Sequence, residues 1–317
     1  MRILVTGGAG FIGSALVRRL AGDGHEVRVL DDFSRGQPSR LDGLKVAVVH
    51  GDIRNRGPVA RAVAGCEAVF HLAAVNGTAS FYEQPRRVLD TAIVGTMNVL
   101  GACELYGVRD LLLMSSSEAH QAAVVPTPET VPLTVPDPLN PRYSYGGGKI
   151  AAEILAGACA AERVLDRMII VRPHNCIGPD MGTGHVIPQF ALRMNELTRE
   201  HPAGVIPFPI QGSGQETRSF CYIADCIEQL ALLLAKAPDG AHVYHAGTMD
   251  ERTVAETAHA VADCYGRAIE VVPGPLQPGS PARRCPDTGK VEALGYKPSV
   301  PFAEAVGRTV AWYQAHG

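Results

Sequence analysis

Along the first half of the chain, short apolar runs rich in β-branched residues alternate with longer segments whose apolar positions recur at helical spacing. This alternation reads as a series of βαβ units, and therefore as a parallel sheet covered on both faces. It predicts strands at Arg2 to Thr6, Glu26 to Leu30, Val46 to Val49, Ala68 to Leu72, Leu111 to Ser115 and Met168 to Arg172. Helices are predicted over Ser14 to Leu20, Arg86 to Tyr106 and Ser144 to Leu165. In the second of these, Val88, Leu89, Ala92, Ile93, Val94, Val99 and Leu100 make a band wider than one core-facing stripe, so a second partner surface is expected.

The stretch Val124 to Tyr143 holds Pro126, Pro128, Pro132, Pro136, Pro138 and Pro141. It can form neither a helix nor a central strand, and is expected to be a surface loop near a strand's carboxyl end. After Arg172 the alternation weakens and Gly/Pro clusters multiply, at Gly178-Pro179, Pro207 to Pro209 and Pro273 to Pro281. The expected architecture is α/β: a doubly wound parallel sheet formed by 1–175 and 218–247, with a second, smaller α/β domain formed by 176–217 and 248–317.

Composition narrows the function classes. A chain of 317 residues suits two domains or one large α/β domain. Lys+Arg 29 against Asp+Glu 32 leaves a net charge of -3, which gives no basic footprint for nucleic acid. No apolar run approaches the roughly 20 residues of a membrane span, the longest candidate being Leu230 to Ala235. The first apolar run, Ile3 to Val5, passes at once into glycines and leaves no room for a secretory leader, so a cytoplasmic location is expected. Cys66, Cys103, Cys159, Cys176, Cys221, Cys226, Cys264 and Cys285 are scattered without a C-x-x-C pair and read as reduced core thiols.

The first strand runs directly into Gly7-Gly8-Ala9-Gly10-Phe11-Ile12-Gly13 and a helix. Glycines at 7, 10 and 13 allow a tight turn, close approach of backbone to a pyrophosphate and tight helix–strand packing, while the helix N-terminus offers unpaired amides to the anion. The second strand ends in Asp31-Asp32, where an acid can bind ribose hydroxyls and repel a 2′-phosphate, which selects NAD over NADP. This is the Rossmann fingerprint. Asp52-Ile53, closing the third strand, are placed beside the adenine, although Asp52 could equally cap a helix.

Tyr145-Gly146-Gly147-Gly148-Lys149 puts an ammonium one helical turn from a phenol. A neighbouring cation favours phenolate, which would make Tyr145 a general base. Three glycines in a helix cost roughly 1 kcal/mol each relative to alanine, so a close approach of cofactor or helix is expected there. Ser115-Ser116-Ser117-Glu118 closes the fifth strand, at the sheet edge where open α/β folds bind ligands; a serine there can hold a substrate oxygen while the carboxylate takes a proton from carbon. His242 and His245 are three apart in a predicted strand and so face opposite ways, and no metal-ligand cluster is expected. His174 and His185 read as structural or contact residues.

These segments, GGAGFIG at 7–13, HLAA at 71–74, SSSE at 115–118, YGGGK at 145–149, RPHNCIGP at 172–179 and TRSFCYIAD at 217–225, together resemble the extended short-chain dehydrogenase/reductases that modify nucleotide sugars. The resemblance runs in order over most of the chain and closes with Arg283-Arg284-Cys285-Pro286-Asp287. It implies a bound NAD contacted also by Leu72, Ala73, Ala74 and Pro173, with Tyr145 and Lys149 as catalytic pair and Ser116, beside Ser117 and Glu118, as the usual partner. It further implies that Asn175, Val186, Arg218 and Arg284 contact a nucleotide-diphosphate sugar, and that the chain forms a homodimer through a four-helix bundle.

There are departures. Where the family's dehydratases resemble Thr-Asp-Glu, this chain has Ser116-Ser117-Glu118, without the acid that protonates a departing hydroxyl. A serine before glutamate is similar instead to the UDP-glucuronate decarboxylases, whereas Ala119-His120 and Ala92 match neither pattern. The resulting order of expectation is epimerisation through a transient 4-keto sugar, then decarboxylation of a UDP-uronic acid, then dehydration. An idle NAD-binding scaffold or sensor is the alternative from another class.

Overall fold

The computed structural model describes residues 1–121, 124–275 and 281–317. Six strands of one sheet come first in the chain: β1 (Arg2–Thr6), β2 (Glu26–Asp31), β3 (Ala47–His50), β4 (Ala68–His71), β5 (Asp110–Met114) and β6 (Arg167–Pro173). Between them run α1 (Phe11–Gly22), α2 (Arg56–Val63), α3 (Thr78–Glu83), α4 (Pro85–Tyr106) and α5 (Ser144–Ala161). The later elements are β7 (Cys176–Ile177), α6 (Val186–Glu200), β8 (Ile206–Pro209), β9 (Thr217–Ser219), β10 (Cys221–Tyr222), α7 (Ile223–Lys236) and β11 (Gly240–Ala246). They continue as β12 (Glu251–Thr253), α8 (Val254–Asp263), β13 (Ile269–Val272), β14 (Arg283–Arg284), α9 (Gly289–Glu292) and α10 (Phe302–His316).

The described residues form a seven-stranded sheet in the order β11-β6-β5-β4-β1-β2-β3, with every neighbouring pair parallel. Strand β4 is buried at every position, as a strand covered on both faces must be. One face packs on α1 and α7 through Leu16, Leu20, Leu230 and Leu233; the other packs on α2, α4 and α5 through Val59, Val99, Cys103 and Ala156. A separate core built on α6, α8 and α10, including Met194, Phe208, Val261 and Val310, lies among the later elements. The six anticipated strands appear with ends shifted by at most one residue, and β11 extends the sheet beside β6.

Helix α5 stops at Ala161 rather than running to Leu165, because Arg163 takes a left-handed φ of 59° that no α-helix continues through. Helix α4, expected over Arg86 to Tyr106, begins one residue earlier, at Pro85. Against the expectation that no apolar run approaches a span, it contains an 18-residue window with a mean hydropathy of 1.3, which by length and composition alone would suffice to cross a membrane. It packs against α2 and α5 and buries Val88, Val99, Leu100 and Cys103, as a core helix does.

In the smaller sheet β12-β9-β14, Arg218 of β9 is registered against Arg252 on one side and Arg284 on the other. The proline-rich loop lies across the carboxyl ends of the main strands, where the Thr127 amide donates to the Cys285 carbonyl and the Asp287 amide donates back to Thr127.

Candidate active site

The turn after β1 fits its sequence tightly. Gly7 has φ +71°, and a Cβ there would stand 2.9 Å from the Ala73 backbone, while one on Gly13 would stand 2.0 Å from the Gly7 carbonyl. Helix α1 begins behind Gly10 without a side-chain cap, so its first-turn amides remain available to an anion. Asp31, closing β2, is buried and accepts from the amides of Ala9 and Phe33, which locks the loop after β2 onto the glycine turn. Burial raises its pKa and the two amide bonds oppose that rise. Each carboxylate oxygen still has a lone pair for a ribose hydroxyl. Asp32 accepts from the amide and hydroxyl of Ser34. Asp52 does not cap α2, whose N-cap is Asn55; it pairs instead with the Arg54 guanidinium, which lowers its pKa.

Gly7, Gly13, Asp31, Asp32 and Asp52 line one cleft of about 400 Å³, along with Gly10, Phe11, Ile12, Ile53, Leu72, Ala73, Ala74 and Pro173. A glycine turn that tolerates no Cβ, an open helix N-terminus and an acid at the end of β2 together fit a dinucleotide such as NAD.

At the far end of this cleft lie Ser116, Ser117, Glu118, Tyr145 and Lys149. The glycines between Tyr145 and Lys149 have a structural cause. A Cβ on Gly146 would lie 2.6 Å from the Glu118 carbonyl, and one on Gly148 would lie 2.8 Å from Ala92 Cβ on α4. The lower turn of α5 is thereby pressed both against the strand-end segment and against α4. Phe81 of α3 stacks on Tyr145, with ring centroids 5.0 Å apart.

The electrostatics of the pair differ from the sequence expectation. Lys149 Nζ lies 5.7 Å from the Tyr145 ring centroid but donates to the Met114 carbonyl at 2.6 Å. Burial pushes the Tyr145 phenol up to about 12, and the hydrogen bond from Ser116 only partly opposes it. Burial likewise pulls Lys149 down to about 8. Desolvation outweighs the Ser116 hydrogen bond and the Arg35 charge, with no lowering from Lys149, so Tyr145 is a phenol rather than a phenolate.

Glu118 sits between two guanidiniums. Arg284 Nη1 donates to its Oε1 at 2.7 Å and Arg142 Nη2 to its Oε2 at 2.9 Å. Burial alone would raise its pKa, but the two arginines together lower it, so the carboxylate stays ionised. Arg142 Nη1 and Arg284 Nη2 are buried without a hydrogen-bond partner among the described residues.

Asn175 has φ 34°, a left-handed conformation that asparagine tolerates better than most residues, and its side-chain amide donates to the Ser219 carbonyl. It lines the dinucleotide cleft and a second, adjoining cleft of about 740 Å³, on which Val186 and Arg218 also lie. Burial and then the Arg284 charge lower Arg218 to about 10. The two clefts share Arg35, Asn175 and His185 and so form one continuous groove.

Sequence spacing gave no sign of Arg35, which lines both clefts and acts electrostatically on Tyr145, or of Arg142, whose partner Glu118 is 24 residues away. It also missed a histidine cluster. His242 does stand apart, bonded to the Asp239 carbonyl, but His245 meets His120 and His174 behind the wall of the groove. Burial is the first cause that holds His120 near 3, His245 near 4 and His174 well below its ordinary value, so these imidazoles are neutral.

The sequence profile described as "NAD dependent epimerase/dehydratase family" matches residues 3–247. Among curated relatives, UDP-glucuronic acid decarboxylase 1 of Xenopus tropicalis is 30% identical over 99% of this chain and 72% of its own length. UDP-glucose 4-epimerase of Mycolicibacterium smegmatis is 32% identical, covering 99% of both chains. Among solved structures, a dTDP-glucose 4,6-dehydratase of Streptomyces venezuelae with NAD bound superposes with a TM-score of 0.86 at 30% identity, covering 99% of this chain and 97% of that one.

Proposed function

Because the chain belongs to the NAD dependent epimerase/dehydratase family, we propose that it is a nucleotide-sugar epimerase working through a transient 4-keto sugar. Bound NAD supplies the acceptor for a sugar hydride and the donor that returns it within one turnover. As phenolate, formed by loss of its proton to solvent when the positive charge of oxidised NAD would lie beside it, Tyr145 would take the proton from the sugar hydroxyl, and Ser116 holds the same oxygen through its hydroxyl. Lys149 lies one turn below, its ammonium anchored to the Met114 carbonyl. Arg218 and Asn175, in the adjoining cleft, receive the diphosphate, for which a guanidinium is a natural bidentate ligand.

One observation carries the choice among outcomes. Glu118, the carboxylate beside the reacting centre, is engaged by Arg142 on one oxygen and Arg284 on the other, and is held ionised. A carboxylate so stabilised is a weak base, which disfavours dehydration and any route that breaks a C–H bond next to the ketone. Epimerisation at C4 needs no such base. Decarboxylation of a uronic acid is the second reading, favoured by the unpartnered Arg142 Nη1 and Arg284 Nη2, which could receive a sugar carboxylate.

The test is incubation of the NAD-loaded enzyme in D₂O with UDP-, GDP-, CDP- and dTDP-sugars, including uronic acids, followed by product mass. A new stereoisomer of unchanged mass is expected. Loss of carbon dioxide, with one solvent deuterium taken up at the carbon that loses it, establishes the second reading; loss of water, or uptake of deuterium at carbon without loss of carbon dioxide, overturns both; and no conversion of any sugar by NAD-bearing protein leaves an idle scaffold.

A homodimer through α4 and α5 is part of the same reading. The two helices pack together and leave Val94, Met97, Leu105 and Ile154 exposed, the last two by 71% and 66%. Large apolar side chains left exposed on two helices packed side by side are what a second copy of the chain would cover. Sedimentation at micromolar concentration is expected to give twice the chain mass of 33.6 kDa, and a monomer would refute the arrangement.

A further inference from the structure

We propose that His120, His174 and His245 form a binding site for one divalent transition-metal ion, Zn²⁺ by its chemistry, at the carboxyl edge of the main sheet. The three rings arrive from adjacent places in that sheet. His174 directly follows β6, His245 lies in β11 in register with Arg172 of β6, and His120 stands six residues beyond the end of β5, in the turn that carries Glu118. All three are buried, at 2%, 0% and 0% exposure. One ring nitrogen from each lies within 4.8 Å of the others.

The geometry matches imidazoles around a tetrahedral ion. A metal–nitrogen distance of about 2.0–2.1 Å puts ligand nitrogens about 3.3 Å apart and ring centroids about 5 Å apart. The observed centroid separations are 5.4 Å for His120–His174, 5.2 Å for His120–His245 and 4.9 Å for His174–His245. The rings therefore already have the right spacing, and small rotations bring the nitrogens inward.

Unpartnered polar atoms point the same way. Both ring nitrogens of His174, both of His245 and Nε2 of His120 lack a hydrogen bond of good geometry among the described residues. Buried polar groups left unpaired cost free energy, so several in one cluster call for a partner. An ion binding one nitrogen from each ring supplies it. The His245 ring also lies against the backbone of Thr127 and Asp287, which suits a ligand oriented through its second nitrogen.

Charges packed around the cluster are compatible with a dication. Arg172 and Arg284 are near enough to act on the rings, but Arg172 is paired with Glu153 and Arg284 with Glu118. Asp287 faces His245, and the Glu129 carboxylate accepts from the His245 amide. Three nitrogens leave a fourth tetrahedral position for water or another small ligand. Three neutral imidazoles also suit zinc better than magnesium or calcium, which prefer oxygen ligands. An ion here would pin the ends of β5, β6 and β11 to one another just behind Glu118 and Asn175, holding the substrate side of the groove in place.

The full chain is stripped with a chelator, then titrated with Co²⁺ alone and Zn²⁺ alone. One Co²⁺ per chain with the strong visible absorption of a tetrahedral ion is expected, displaced by an equimolar amount of Zn²⁺. Separate His120→Phe and His174→Asn variants should lose affinity by more than about 100-fold, beyond what an outer-shell change costs, while His242→Ala should bind as the parent does. Retained NAD binding reports that each variant is folded. If a variant does not fold, the wild-type titration decides alone: uptake of less than one ion at tenfold excess, or an octahedral spectrum, overturns the proposal. So does a folded His174→Asn chain that binds Co²⁺ as tightly as the parent. The readout is metal content and spectrum, not turnover, so it stands or falls separately from the sugar chemistry.

Discussion

Replacement of Tyr145 by phenylalanine is expected to lower turnover by about 10²–10⁴-fold, some 3–5 kcal/mol of barrier, while NAD still binds. The Tyr145 phenol combines a transferable proton, a hydrogen bond from Ser116 and a place in the wall of the dinucleotide cleft beside Ser116 and Glu118. Phenylalanine keeps the stacking on Phe81 at 5.0 Å and the burial, so the loss falls on chemistry rather than on fold. Single-turnover measurement on NAD-loaded protein checks this, and an unchanged rate would remove Tyr145 from the reaction. The same variant tests the electrostatics. Burial places the phenol at about 12 in the ligand-free chain, so a wild-type-minus-Tyr145→Phe ultraviolet difference titration should show no phenolate from this residue at pH 10. A phenolate appearing near neutrality would mean that Lys149, not desolvation, dominates there.

The largest loss of stability is expected from Arg172→Leu. Arg172 makes a two-pronged pair with Glu153, at 3.0 Å from Nε and 2.7 Å from Nη2, and both side chains are buried. The Ser115 hydroxyl donates to the same carboxylate, and Arg172 Nη1 donates to the Glu129 carbonyl. Removing only the cation leaves a carboxylate ionised in the interior, which costs about 3–5 kcal/mol, a large share of the roughly 5–15 kcal/mol that holds a domain folded. Glu153 lies one turn beyond Lys149 on α5, so the pair also ties the helix bearing Tyr145 and Lys149 to β5 and β6. Chemical denaturation should show the midpoint fall steeply for Arg172→Leu and recover for Arg172→Leu with Glu153→Leu, in which no charge is stranded. Equal stability of single and double variants would show that the carboxylate finds solvent or another partner.

Several elements could be read directly from the residues. The strands from Arg2 to Arg172, the glycine turn and the end of β2 are each specified by neighbours within about twenty positions, where β-branched runs, Gly spacing and turn chemistry act locally. The helix face bearing Tyr145 and Lys149 is local for the same reason. Gly146 and Gly148 could be recognised as needing a close neighbour, but the neighbours, the Glu118 carbonyl and Ala92, are set by packing of α5 on the strand end and on α4.

The protonation state of Tyr145 could not be read from spacing, because the four-residue interval reports the nearby ammonium but not how thoroughly the fold excludes water. Nor could the clamp on Glu118, whose partners lie 24 and 166 residues away. His245 illustrates the limit clearly. Within its own strand it has no partner, since alternate residues face opposite ways; its neighbours His120 and His174 come from the segments that follow the parallel strands β5 and β6, which are joined by long crossovers.

The linear order of residues thus determined the class of fold, the dinucleotide turn and the one-turn spacing of Tyr145 and Lys149, because periodicity, glycine placement and helical spacing are properties of contiguous chain. Tertiary structure alone decided which charges meet at the substrate end, how desolvation tunes them and where three histidines converge. Those outcomes depend on distances through space and on the exclusion of water, which arise only when β5, β6 and β11 lie side by side.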